Sequence, residues 1–274
     1  MAESQAYVLG GEQHELARLD AQAAFYEPAT AWLLAAAGIE PGMRVLDLGS
    51  GLGHVARLLA TLVGPEGEVV GVDAQPGLLE LAGVRTAEAG LANVRFVEGD
   101  VREYRDERRF DAVVGRLILF HLADPVAALR HHAGGLEPGG LLLAIDFDTV
   151  GCRCEPPVAL AEAAVEYYVA AFRRAGADPA IGMRLGSLLA AAGLTGVSAV
   201  GIQDYIPPGD PRGIALLAGV VRTLAVAEGP SAVPPELALD TLDRRLAEEV
   251  EGAGATIVPP TLVGAWGRAP SEPG

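Results

Sequence analysis

Lysine is absent from all 274 residues, so the 20 basic side chains are all arginine. That absence removes a pyridoxal Schiff base, a phosphate-loop lysine and any lysine nucleophile. Cysteine is scarce: Cys152 and Cys154 form one Cys-Arg-Cys stretch. A bridge between residues so close is strained. Two thiols without histidines at ligand spacing do not make a structural zinc site, so no metal is expected. Aromatic residues are only 5% of a chain that is 50% hydrophobic, which predicts a core of Ala, Leu and Val. No apolar run approaches the roughly 18 residues of a membrane span; the most apolar stretch, 214–227, is interrupted by Arg222. Glu3 and Glu12 stand where a secretory leader would be basic and then apolar, so the expectation is a cytoplasmic protein with no membrane partner. Positive charge is also short. The net charge of −16 disfavours nucleic acid, where a basic face supplies most of the affinity. Arg105, Arg108 and Arg109 cluster, but Asp106 and Glu107 interleave them, which reads as a solvated helix end.

What is present is concentrated in Val45-Leu46-Asp47-Leu48-Gly49-Ser50-Gly51-Leu52-Gly53-His54. A short apolar run reaches a carboxylate, breaks into glycines at alternating positions and passes into the amphipathic stretch 55–63. This predicts a buried parallel strand turning tightly into a helix, the place where open α/β sheets bind nucleotides. Glycine there tolerates positive φ and lets a ligand lie against bare backbone. The spacing is not that of a dinucleotide loop, whose third glycine would fall at His54; here it comes one residue early, at Gly53.

Read with Asp47, the pattern D-x-G-x-G-x-G resembles the first motif of the class I S-adenosylmethionine-dependent methyltransferases. Four further segments follow in that family's order. They are 68–73 ending in Asp73, 93–101 containing Gly99-Asp100-Val101, 110–116 running into 117–122 and Asp124-Pro125, and 136–146. Outside the core, Tyr7-Val8-Leu9-Gly10 with Glu15, Arg18-Leu19 and Gln22 resembles the N-terminal lid of UbiE-like small-molecule methyltransferases. So do Gly176-Ala177-Asp178-Pro179 with Gly182 and Leu185, Ala191-Ala192-Gly193-Leu194, and Ala265-Trp266-Gly267-Arg268. The resemblance implies S-adenosylmethionine as cofactor. It implies Gly49, Gly51 and Gly53 for close backbone approach and Asp47 near the methionine ammonium. Asp73, with Ala74 beside it, would take the ribose, and Asp100 and Val101 the adenine. The Arg116 carbonyl would lie near the methionine part, and Tyr7 and Gln22 would close over the cofactor from the lid.

The expected architecture is α/β: a Rossmann-like, doubly wound, seven-stranded and mostly parallel sheet with an N-terminal helical lid and helical insertions. One methyltransferase domain is expected over 1–274. It comprises lid helices at 1–40, a cofactor-binding core at 41–150, substrate-side insertions at 151–193 and 207–253, and final strands at 194–206 and 254–268. An extended arm is expected over residues 1–10 and a frayed end over the last seven. Within the lid, Pro28 is expected to kink or split a helix over 12–38. Core strands are expected at 43–48, 68–73, 93–98, 110–115 and 140–146, and outer strands at 197–206 and 255–267.

Methyl transfer is an in-line displacement at an already activated carbon, so alignment in a dry pocket supplies most of the catalysis. Where the acceptor needs a base, His121, after the fourth strand, and Asp148, at the end of the fifth, are the candidates, each with a purely structural alternative. His14, His131 and His132 read as surface residues, and Tyr168, Phe172 and Tyr205 as pocket or core aromatics. The reading is methyl transfer to a small-molecule acceptor, such as a secondary metabolite, with a homodimer compatible. Its alternative is a protein of the same fold that binds the cofactor as a non-methylating cyclase or regulator. A nicotinamide reductase is disfavoured by His54 and by the missing lysine of a Tyr-x-x-x-Lys pair.

Overall fold

The computed structural model describes residues 13–271; Tyr7, the remainder of the arm, Gly10-Gly11 and the last three residues lie outside them. Helix α1, Gln13–Ala37, runs unbroken through Pro28, so the expected split does not occur. The chain then alternates: β1 Arg44–Leu48, α2 His54–Val63, β2 Glu68–Asp73, α3 Pro76–Glu88, β3 Val94–Glu98, β4 Phe110–Arg116, α4 Pro125–Ala133 and β5 Leu136–Asp148. After it come β6 Arg153–Glu155, α5 Ala159–Arg174, α6 Leu185–Ala191, β7 Thr195–Ile202, α7 Pro211–Glu228, α8 Leu242–Gly252, β8 Thr256–Val258 and β9 Thr261–Arg268.

Seven strands make one sheet in the order β3-β2-β1-β4-β5-β9-β7. The first five are parallel neighbours, and β9 runs antiparallel to β7. Such an order reverses direction between β1 and β4, the switch point at which α/β sheets open a crevice beyond their carboxyl ends. The expected seven-stranded, mostly parallel α/β fold is therefore present. The last predicted strand, 255–267, is in fact two strands, because Pro259 and Pro260 cannot donate to a ladder. Its first part, β8, pairs instead with β6 in a separate two-stranded ribbon.

Where the sequence reads as one domain, the described chain gathers into two compact units. One holds 13–27, 148–179 and 203–261; the other holds 28–147, 180–202 and 262–271. The first unit packs α5, α7 and α8 around Leu160, Ala164, Leu217, Val221, Leu224 and Leu246. Its Glu15 is buried, accepting from Arg18 at 2.7 and 2.8 Å and from the Thr223 hydroxyl at 2.7 Å.

The second unit carries the large sheet. Leu141, Leu143 and Ile145 of β5 are fully buried and Leu142 and Ala144 nearly so, the continuous apolar run of a strand covered on both faces. Helix α2 buries Val55, Ala56, Leu59, Ala60 and Val63 along one stripe, and its end is held by Asn93, whose amide donates to the carbonyls of Ala60 and Gly64 at 3.1 and 2.8 Å. At the amino end of the sheet Arg44, 5% exposed, donates to Glu68 at 2.8 Å and to the Arg108 and Arg109 carbonyls at 2.9 and 3.1 Å. Truncating one β5 side chain leaves a cavity that a doubly covered sheet cannot close. Leu143→Ala should therefore cost about 2–5 kcal/mol of stability, read as a lower urea midpoint with an unchanged slope.

Candidate functional site

The turn after β1 needs glycine at three positions. Gly49, Gly51 and Gly53 have φ of 66°, 47° and 72°, the left-handed region that L side chains rarely adopt. A Cβ on Gly49 would come within 2.8 Å of the Ile118 side chain, and one on Gly53 within 2.9 Å of the Phe96 ring and 3.0 Å of Ala82. At Gly51 a Cβ would meet nothing within 4 Å. Two of the glycines let the loop pack onto the sheet; the third presents bare peptide to open space.

Two carboxylates stand beside that peptide. Asp73, ending β2, accepts from the Gly51 amide at 2.9 Å and from the Gln75 amide at 3.0 Å. It therefore holds the glycine loop to the strand next door. Asp47, 1% exposed in β1, has one carboxylate oxygen, Oδ2, with no hydrogen-bond partner. Burial pushes its pKa up to about 7; the Arg116 guanidinium opposes this, Asp73 adds to it and the Ala56 amide opposes it. The Arg116 side chain donates to the buried Thr30 hydroxyl at 3.2 Å. Its charge, set against Asp47, is a role that the sequence reading, which used only its carbonyl, did not contain.

Farther along the same edge, Asp100 is engaged by its neighbour Arg102, through the amide at 2.8 Å and the side-chain Nε at 2.9 and 3.0 Å. That guanidinium holds the carboxyl below its usual range. Ala74 is exposed between the ends of β2 and α3. The Val101 carbonyl accepts from His132 Nε2 at 2.5 Å, so that nitrogen carries the ring proton. His132 is 3% exposed, which corrects the surface reading; burial lowers its pKa to about 4.

After β4 the backbone is strained. Leu117 has φ of 55° although it carries a side chain, and its amide donates to the Ile145 carbonyl at 2.8 Å. The kink delivers Ile118 onto Gly49. No sequence signal marks Leu117, because a non-glycine residue at positive φ is set by its surroundings rather than by its own preference. Asp146, 2% exposed, anchors the next turn by accepting from the Phe120 and Phe147 amides at 3.2 and 3.0 Å. That turn carries His121, whose ring lies 3.7 Å from the Phe120 ring centre. Burial takes the His121 pKa down to about 4, so the imidazole is neutral at physiological pH.

The remaining candidates are not in this group. Gln22 and Asp148 belong to the other compact unit, and Tyr7 is outside the described residues. Gln22 accepts from Arg18 at 2.7 Å, alongside the Glu15 pair. Asp148 accepts from the Val150 amide at 3.1 Å. Tyr205 is 67% exposed and so is not a core residue. In the same unit burial raises the Cys152 thiol and the Tyr168 hydroxyl, so neither is a nucleophile near neutral pH.

The Asp47 carboxyl makes stability depend on pH. Its folded pKa of about 7 lies above the ordinary 3.8. Between those values the folded chain keeps a proton that the unfolded chain releases, so stability is full below about pH 4 and falls as pH rises toward 7. Asp47→Asn should remove this slope and raise the melting midpoint at pH 8 by about 2–4 °C. Thermal melts from pH 5 to 8 check it; parallel curves for the two proteins would contradict it.

Residues 39–172 match a family model described as a methyltransferase domain. The ubiquinone/menaquinone biosynthesis C-methyltransferase UbiE of Ectopseudomonas mendocina is 37% identical over 116 residues, 42% of this chain and 45% of that protein. The chain thus spans less than half the length of this curated relative. Among solved structures, the YcgJ protein from Bacillus subtilis superposes with a TM-score of 0.56 at 18% identity, covering 90% of this chain and 100% of that one. A Haemonchus contortus phosphoethanolamine N-methyltransferase 2 in complex with S-adenosyl-L-methionine gives 0.55 at 20% identity, over 89% of this chain and 53% of that one. With the glycine loop on β1 and this sheet order, the chain has the class I S-adenosylmethionine-dependent methyltransferase fold, and over 39–172 it is similar to a methyltransferase domain of the UbiE-like type.

Proposed function

We propose that this chain transfers the methyl group of S-adenosylmethionine to a small-molecule acceptor. One observation carries the reading: a fully buried carboxylate oxygen on Asp47 lacks a partner beside a glycine whose outward face is open. A buried acceptor without a donor costs roughly 1–3 kcal/mol, and the ammonium of a methionine moiety would satisfy it while drawing the Asp47 proton off. In this assignment Asp73 takes the ribose hydroxyls with the lone pairs left over from Gly51 and Gln75. Asp100 and the Val101 amide take the adenine, and the Gly49–Gly53 peptides lie along the cofactor.

The cofactor supplies a methyl group already activated by its sulfonium, so the protein has to align and desolvate. The His121 ring, neutral because burial lowers its pKa to about 4, is a weak base here and would act by orienting the acceptor, while Asp146 fixes the turn that presents it. Tyr7 and Gln22 are proposed on the lid on the strength of the family resemblance, and Asp148 as an acceptor contact from its place at the end of the fifth strand. The UbiE relative is named as a C-methyltransferase of quinone biosynthesis. That name makes carbon acceptors the first to assay, ahead of the oxygen and nitrogen acceptors of secondary metabolism.

Calorimetric titration tests the reading. S-adenosylmethionine and S-adenosylhomocysteine should bind and NADH should not. Gly51→Ala, which combines about 1–3 kcal/mol of backbone strain with a methyl group in the cofactor's path, should weaken binding at least tenfold while the fold persists by circular dichroism. Asp73→Ala should do the same. Near pH 6, binding should release a proton from Asp47, read as a heat that varies with buffer ionisation enthalpy and vanishes in Asp47→Asn. Equal affinity in wild type and Gly51→Ala would contradict the assignment.

A further inference from the structure

At the amino ends of β4 and β5, the opposite edge from the glycine loop, lies a cavity of about 100 Å³. Arg105, Arg108, Arg109, Tyr104 and His132 line it, together with one acid, Asp106. The segment 101–109 is turns and bends rather than the expected helix end, and this folds the arginines back over the strand ends. Gly134 and Gly135 also line the cavity, and a Cβ on either would come within 3.4 and 3.3 Å of the Arg105 guanidinium. The two glycines thus leave room for that side chain.

Three of the local acids, Glu68, Asp106 and Asp111, are already committed, while Glu107 is exposed and outside the cavity lining. Glu68 accepts from Arg44 at 2.8 Å, Arg95 at 3.3 Å and Arg108 at 2.9 Å. Asp106 accepts from Arg44 and the Tyr104 hydroxyl, each at 3.1 Å, and is paired with Arg95. Asp111 accepts from the Arg44 amide at 2.7 Å. Arg109 has a single partner, the Leu136 carbonyl, at 2.6 Å. Among the described residues Arg105 has neither an ion pair nor a hydrogen bond. Two guanidinium groups without an ion pair of their own therefore face one small cavity, whose one acid, Asp106, is held by Arg44 and Arg95, on a chain whose net charge is −16. Guanidinium forks match the oxygens of a tetrahedral oxyanion, and the volume suits one such group and no nucleoside.

We propose that this cavity binds a phosphate-class oxyanion through Arg105 and Arg109, as free phosphate or as the phosphoryl group of a small metabolite. The site is separate from the glycine loop, so the proposal stands or falls independently of cofactor binding. Inorganic phosphate is titrated into the full chain at constant ionic strength, followed by calorimetry and by the His132 ring resonances. Saturable binding with a shift at His132 is expected. The Arg105→Ala/Arg109→Ala double variant, altered only at exposed side chains, should bind at least tenfold more weakly. Arg174→Ala, which breaks an exposed pair with Glu228, should bind as wild type does. Repeating the titration with glycerol 3-phosphate separates the sources: tighter binding than phosphate identifies a phosphomonoester, and weaker binding identifies the free ion. No saturation by about 20 mM, a Kd weaker than roughly 1 mM by more than tenfold, or equal binding by the double variant would overturn the proposal.

Discussion

The hydrogen bond from the Gly51 amide to the Asp73 carboxylate joins the two halves of the site. It spans 2.9 Å between the tip of β2 and the turn leaving β1, and it fixes where the open peptide of Gly51 faces. It acts beside a second tie to β2, from the Ser50 amide to the Val72 carbonyl at 3.0 Å, in a loop whose glycines contribute no side chains of their own. The same carboxylate adds to the cost of ionising Asp47, which burial mainly sets.

Asp47 shows how burial and function are coupled. A carboxylate in a fully covered strand is costly to keep ionised, and the fold tolerates it through the opposing charge of Arg116 and the partial relief of a proton held up to about pH 7. An apolar residue at this position would make a more stable sheet. The retained acid with its unsatisfied oxygen is the kind of local penalty that marks a place where something binds. His121 illustrates the complementary case, in which burial alone keeps an imidazole neutral; at His132 burial is the main cause, with the charges of His131 and Arg105 acting in the same direction.

Much of this was legible in the sequence, for physical reasons. The five parallel strands are short apolar runs bounded by turn residues, and they appear within a few residues of their expected limits, as with Glu68–Asp73. The glycine spacing exposed the loop because positive φ leaves little choice of residue. What stayed hidden depends on long-range packing. The strained Leu117 and the contact of Ile118 with Gly49 have no local signature. Pro259 and Pro260 mark the break between β8 and β9, yet the pairing of β8 with the short β6 was invisible, as three residues carry too little periodicity. His132 read as a surface residue because its partner, the Val101 carbonyl, lies 31 positions away. Arg105 and Arg109 read as solvated because of the interleaved Asp106 and Glu107, yet Asp106 is bound by Arg44 and Arg95 instead.

The most direct test is a crystal structure of the protein with S-adenosylhomocysteine. The account predicts the ammonium of the ligand within hydrogen-bond distance of Asp47 Oδ2, its ribose hydroxyls on Asp73 and its methionine portion against Gly51. A ligand bound elsewhere, with the Asp47 oxygen still unpartnered, would contradict it.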